Sequence, residues 1–252
     1  MKVGIELRNV SLHVPTFEQR ERSVRHFYTS LVAAAFDRPI RTFRTLIDDI
    51  TLDVRPGDRL AVLGRNGAGK STLLRILAGA YNPSSGSIAV HGRLQALLNI
   101  SLGFNQDATL RENIYLRGAA MGMTLKQCHA AVDDVLQFSG LEDRAGVRLK
   151  VLSAGQRMRL GFSITTELES DILIMDEWIG AGDAQFFEKA QARMKGRLEG
   201  AKIVVLASHS VTLLKQVCNR AIYMENGAVV ADGPLDDIVA RYIPQSAAAK
   251  PK

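Results

Sequence analysis

The chain has 252 residues, 46% of them hydrophobic and 23% charged, and a formal net charge of +6. That balance excludes a disordered chain, and the length suits one large α/β domain or two unequal lobes. Its two cysteines, Cys128 and Cys218, stand far apart without a metal-like spacing, which excludes a disulfide scaffold, and no apolar run nears the roughly 20 residues that span a bilayer.

The mild basic excess fits ordinary solubility as well as an anionic partner, but no arginine-rich block with interleaved aromatics points to nucleic acid. The opening MKVGIELRNV lacks the apolar stretch of a secretory leader, so a cytoplasmic setting is expected. Residues KVGIELRNVSLHV alternate as a strand. A segment from Pro15 to about Arg44 follows, in which Val24, Phe27, Tyr28, Leu31, Val32 and Ala35 recur at helical spacing. Arg20, Arg22 and Arg25 fall off that stripe, so this basic amphipathic helix either packs on the core or meets a membrane partner or lipid headgroups. TLIDDITLDV and DRLAVLG read as strands joined by a turn at Pro56-Gly57, with a helix through KSTLLRILAGA and a turn at NPSSG.

From Asn105 to Lys150 the chain reads as helical, with capping boxes at Thr109-x-x-Glu112 and Thr124-x-x-Gln127 and a closing Gly140. Ser153-x-x-Gln156 is a third such box. Strand ILIM before Asp176, a helix near Phe186 to Leu198 and strand IVVLA before Ser208 restore α/β order. A helix over 210–217 then leads to a hairpin at Asn226-Gly227, and the terminal QSAAAKPK is expected to be loose.

Three stretches carry chemistry. GRNGAGKST, residues Gly64, Arg65, Asn66, Gly67, Ala68, Gly69, Lys70, Ser71 and Thr72, fits the phosphate-binding pattern G-x-x-x-x-G-K-[ST], between a strand and a helix. Main-chain amides would wrap the phosphates, Lys70 would reach the β- and γ-phosphates, and Ser71 would ligate Mg²⁺. In DILIMDE, Asp176 emerges at the carboxyl end of a buried strand to hold Mg²⁺ or its waters. Glu177 follows it to position or deprotonate the attacking water. His209, at the end of a neighbouring strand, is placed to fix the geometry of that water and Glu177.

In this order, with LSAGQ just before the acidic pair, the chain resembles the ATP-binding cassette family over nearly its whole length. The resemblance implies an ATPase that binds ATP and Mg²⁺ on an α/β P-loop core with a β-rich N-terminal lobe and an inserted helical subdomain. It places the inserted amphipathic segment at about 15–44, the core at about 45–104 and 160–225, the helical subdomain at about 105–159, and a hairpin with a loose tail at 226–252. It further implies a homodimer in which Ser153, Gly155 and Gln156 of one subunit complete the nucleotide site of the other, and Ala154 stands where the family usually has glycine. Asp183, in IGAGDAQFFEK, matches the aspartate that follows the catalytic glutamate. Either Asn99 or Gln106 stands for the family's usual glutamine. The base-stacking aromatic is expected near Val14, flanked by His13 and followed by Phe17, and Phe43 is another candidate.

SLGFNQDATLRENIYLRG, DEWIGAGDAQF and the inserted segment resemble one branch, the bacterial exporters of O-antigen, capsule or teichoic acid. Membership there implies integral membrane permease subunits and a lipid-linked polysaccharide as partners, no nucleic acid, and a peripheral position on the cytoplasmic face of the inner membrane. Two alternatives are a cassette of another transporter class and a soluble cassette acting on nucleic acid or ribosomes.

Overall fold

The computed structural model describes residues 3–17, 41–98, 103–177 and 184–248. The amphipathic helix expected between Arg20 and Phe36 lies outside them. A long antiparallel pair comes first, β1 (Gly4–Phe17) and β2 (Arg41–Val54), and β4 (Ser85–His91) joins the other edge of β1. Strict alternation along β1 would bury Ile5 and Leu7 but turn Val10 and Leu12 outward. A paired bulge removes that conflict. Asn9 (φ 49°) and Asp49 (φ 46°) both adopt left-handed conformations, and Asn9 Nδ2 donates to Asp49 Oδ1 at 2.9 Å. The register shifts there, so Ile5, Leu7, Val10 and Leu12 are all buried, along with Ile47, Ile50, Leu52 and Val54 of β2.

The second sheet has the order β5-β6-β7-β3-β8-β9. Strands β3 (Arg59–Gly64), β5 (Leu94–Leu97), β6 (Ile172–Asp176), β7 (Ile203–Ala207) and β8 (Arg220–Glu225) run parallel, and β9 (Ala228–Pro234) returns antiparallel. The described helices are α1 (Lys70–Leu77), α2 (Leu110–Ala120), α3 (Leu125–Ser139), α4 (Ala154–Thr165), α5 (Ala184–Gly200), α6 (Val211–Val217) and α7 (Leu235–Ala248). Both faces of the sheet are covered, which is why β6 and β7 read as unbroken apolar runs. On one face Leu60, Val62, Ile172 and Ile174 share a core with β1, β2 and α1. On the other, Ala61, Leu63, Leu173 and Met175 share one with α5 and α7. Arg220 ties the assembly at its base: its guanidinium forks onto Asp232 at 2.8 and 2.6 Å and also donates to Asp58 at 2.9 Å and to the Asp53 carbonyl at 2.8 Å.

Helices α2, α3 and α4 form a separate core around Leu110, Ile114, Val132, Val135, Leu149 and Leu160. Thr109, Thr124 and Ser153 open them with reciprocal capping boxes, and Gly140 (φ 66°) closes α3. The boundary expected near residue 159 falls inside α4, which serves both units. Leu160 and Ile164 join the helical core, whereas Phe162 turns to the sheet, edge-on to Phe186 at 5.8 Å and 6.1 Å from Phe138.

Three features differ from the sequence reading. Residues 15–17 and 41–44, expected within the inserted segment, instead pair with each other and lengthen β1 and β2. Strands β4 and β5 were not anticipated; β4 is half-exposed and alternates weakly. Of the tail expected to be loose, 245–248 instead continue α7 and 249–252 lie outside the described residues; at the start of that helix Leu235, Ile238 and Val239 form an apolar stripe that buries against the sheet. Cys128 and Cys218 are buried free thiols, and burial pushes Cys218 up to about 12, so neither is poised as a nucleophile.

Phe162 is fully buried where the two cores meet. Phe162→Ala is expected to cost about 3–5 kcal/mol, read as a lower denaturant midpoint. A shift near zero would mean that the two cores do not depend on this ring.

Candidate functional site

β3 lies between β7 and β8, and the register sets Val62 and Asp176 each opposite Ala207. The carboxyl ends of β3, β6 and β7 therefore open on one edge of the sheet, where open α/β sheets bind ligands. The loop after β3 leads into α1, whose N-cap is Gly69 in the left-handed region (φ 106°) with no side-chain cap. The first amides of α1 thus have no side chain of their own to satisfy them, an arrangement suited to an anion. Lys70 folds back across the loop, donating to the carbonyls of Gly64 at 2.8 Å and Arg65 at 3.1 Å. Partial burial pushes its ammonium below the ordinary lysine value, while the charges of Asp176 and Glu177 act to hold it up.

A cavity of about 610 Å³ opens over this loop. Asn66, Gly67, Gly69, Lys70, Ser71 and Thr72 form one side, and Asp176, Glu177 and His209 face it from the ends of β6 and β7. Gly64, Arg65 and Ala68 are not among its lining residues; Gly64 and Ala68 are buried and Arg65 is exposed. Glu177 has a left-handed backbone (φ 70°) and its N–H donates to the Ala207 carbonyl at 2.8 Å. Its carboxylate lies 3.8 Å from His209 Nε2, and both side chains are more than half exposed.

The sequence reading missed two walls. Arg44, Thr45 and Leu46 of β2 close one side, and the Asn226-Gly227 turn between β8 and β9 closes another. That turn braces the phosphate loop: Gly227 N–H donates to the Ala68 carbonyl at 2.9 Å, and the Gly227 carbonyl accepts from Asp48 N–H at 3.0 Å. The approach depends on glycine on both sides. A Cβ on Gly227 (φ 86°) would sit 2.7 Å from the Leu46 carbonyl oxygen, and one on Gly69 would sit 3.0 Å from the same atom. Asn-Gly signalled a turn in the sequence, but nothing local said what it would touch.

Ser153, Gly155 and Gln156 do not line this cavity. They open α4, with Ser153 and Gly155 exposed. The capping box uses the Gln156 N–H, which donates to Ser153 Oγ at 3.2 Å, and the Ser153 N–H, which donates to Gln156 Oε1 at 3.0 Å. The amides of Ala154 and Gly155 lie outside that exchange, and the Ser153 hydroxyl keeps its proton to donate. A Cβ on Gly155 would meet nothing within 4 Å, so its own chain does not require glycine there.

Asp183 and Asn99 lie outside the described residues. Gln106 is exposed away from the cavity wall, its carbonyl accepting from Lys150 N–H at 3.0 Å. Of the base-stacking candidates, Val14 and Phe43 are exposed, and neither lines the cavity; His13 Nδ1 lies 3.1 Å from the hydroxyl of Thr45, which does. The Phe17 side chain lies outside the description.

Residues 47–180 match the family model described as ABC transporter. The chain is 32% identical to the O-antigen export system ATP-binding protein RfbB of Klebsiella pneumoniae, over 96% of this chain and 98% of that one. It is 34% identical over 88% of its length to the protein of the same name from Myxococcus xanthus, of which it spans only about half, 53%. The teichoic acids export ATP-binding protein TagH of Lactiplantibacillus plantarum is 30% identical over 94% of this chain and 64% of its own length. Among solved structures, the ATP-binding subunit of an ABC transporter superposes with a TM-score of 0.67 at 22% identity, covering 94% of this chain and 92% of that one. A dimeric ATP-binding cassette in a post-hydrolysis state with ADP and Pi gives 0.66 at 19% identity, covering 92% and 98%. At such identities the solved structures speak for the fold.

Gly227→Ala tests the brace without touching any group that faces the cavity with a side chain. Left-handed strain of about 1–2 kcal/mol and the close carbonyl should displace the turn and loosen the loop. ATP affinity is expected to fall severalfold in a titration with a fluorescent nucleotide. Unchanged affinity would show that the phosphate loop holds its shape unaided.

Proposed function

We infer the function from one premise: the chain belongs to the ABC transporter family, as an ATP-hydrolysing subunit. On our reading it powers export of a lipid-linked polysaccharide, O-antigen or a related glycan, through separate integral membrane subunits. It does so as a homodimer bound peripherally to the cytoplasmic face of the inner membrane. The relatives named for O-antigen and teichoic acid export support the cargo class. No described helix is long and apolar enough to cross a membrane.

One observation carries the mechanism. The chain has a phosphate cradle at Gly69 and Lys70, and a second exposed helix start at Ser153 and Gly155 that lies off the same cavity. A second copy brought face to face would lend the second start to the first cradle. Ser153 hydroxyl and the Ala154 and Gly155 amides would then meet the γ-phosphate, in the space that the missing Gly155 side chain leaves. Asp183 is assigned to the same shared interface, as the aspartate after Glu177.

Within one subunit, Lys70 exchanges its loop carbonyls for phosphate oxygens, and the open amides of the loop and α1 hold the β-phosphate. Ser71 and Asp176, a hydroxyl and a carboxylate on one wet cavity, suit Mg²⁺, which keeps several waters and takes few protein ligands. That ion would neutralise charge between the β- and γ-phosphates. Glu177 orients the attacking water and accepts its proton, and His209 steadies water and carboxylate. Loss of the γ-phosphate removes what joins the two cradles, so the dimer reopens and resets the permease.

Glu177→Gln should lower turnover by at least about 10²-fold while leaving ATP binding intact and the dimer closed, read by phosphate release and light scattering. Ordinary hydrolysis by this variant would remove Glu177 from its role. Lys70→Ala and Ser153→Ala, each inactive alone, should regain hydrolysis when mixed, because the mixed dimer holds one whole site. Silence on mixing would contradict a shared pocket. Co-purification with a polytopic membrane protein tests the transport assignment.

A further inference from the structure

The segment 147–152 that leads into Ser153 is gripped by a loop that one buried side chain shapes. Asn113, on α2, is wholly buried. Its Oδ1 accepts from Asn105 N–H at 2.8 Å, and its Nδ2 donates to the carbonyls of Asn105 at 2.9 Å, Thr109 at 2.9 Å and Ala108 at 3.3 Å. Two N–H groups cover three carbonyls, so the donors of this amide are fully used. These bonds wrap 105–109 around one point. One helical turn on, the Arg117 guanidinium lies over Phe104 at 4.5 Å, pinning the approach to the same loop.

The loop in turn grips the segment that leads into Ser153. Lys150 N–H donates to the Gln106 carbonyl and Leu149 N–H to the Ala108 carbonyl, both at 3.0 Å. Thr109 and Arg148 form an isolated antiparallel bridge, and Leu110 N–H donates to the Val147 carbonyl at 3.0 Å. Leu149 and Leu152 are buried in the helical core, and Ser153 follows directly. The Ala108 carbonyl takes bonds from both sides, from Asn113 Nδ2 and from Leu149 N–H. Nothing comparable links Asn113 to the cavity of its own subunit, whose walls it does not reach.

We propose that Asn113 is a positioning residue for the neighbouring subunit's reaction: it sets the height of Ser153 and Gly155 through loop 105–109 and segment 147–152. The proposal rests on the shared-site reading above. It requires that a defect at Asn113 be felt at the nucleotide bound by the other copy. A misplacement of about 1 Å at a reacting geometry costs on the order of 10²-fold in rate.

The test uses whole chains and ATP. Asn113→Ala, and the same-sized Asn113→Asp, which keeps the acceptor and loses the donors, should lower kcat about 10²-fold while single subunits bind ATP as tightly as the wild type. Mixed with Lys70→Ala, either variant should regain hydrolysis, since its intact cradle then meets an intact Ser153. Mixed with Ser153→Ala it should stay inactive, because both defects fall on the same element. Regained activity in both mixtures or in neither, while Lys70→Ala with Ser153→Ala regains it, overturns the proposal. Full turnover by either variant alone, or loss of ATP binding by both, does the same. If the Lys70 and Ser153 control itself stays silent, the shared-site reading fails, and the role of Asn113 falls with it.

Discussion

The open start of α1 is the constraint from which the rest of the site follows. Three other helices close their first turn with a reciprocal side-chain box, at Thr109, Thr124 and Ser153, but α1 begins on Gly69 and has none. Amides left unpaired at a helix end are costly unless water or a ligand satisfies them. Here they face a cavity ringed by a lysine, several hydroxyls and two carboxylates. Placing that start at the centre of a parallel sheet brings the tips of β6 and β7 beside it. The acids therefore reach the phosphate site through strand order, although they lie far from the loop in sequence.

Much of this was legible from local patterns. The phosphate loop has fixed positions between a strand and a helix, and the capping boxes are four-residue signals, so both can be read without knowing the fold. Asp176 and His209 were legible because an apolar run covered on both faces ends at a predictable edge. What escaped was contact between distant segments. Arg44 to Leu46 and Asn226-Gly227 wall the cavity only because β2 and the last hairpin meet over the loop. The α7 stripe of Leu235, Ile238 and Val239 was visible at helical spacing, yet three apolar positions beside a flexible-looking end gave no reason to prefer burial.

Among the described residues, α4 joins the helical unit directly to the sheet unit. Helix α4 puts Leu160 and Ile164 into one core and Phe162 into the other, and Arg197 donates to the Glu167 carbonyl at 2.9 Å just past its end. Gln95 on β5 donates to the Thr165 carbonyl at the same end. Its amino end carries Ser153, so one rigid rod connects the exposed cradle to the floor of the sheet. Any tilt of the helical unit must turn about the tied carboxyl end and will move Ser153 farthest.

The brace between Gly227 and Ala68 has a consequence for how the protein is made. Strand β3, which feeds the phosphate loop, gains its two neighbours only when 203–207 and 220–225 are available, and the loop gains its brace only at residue 227. A growing chain therefore carries its nucleotide motif unsupported until those later segments have been made. The contacts that fix the shape of the loop thus become available only long after its own residues have been made.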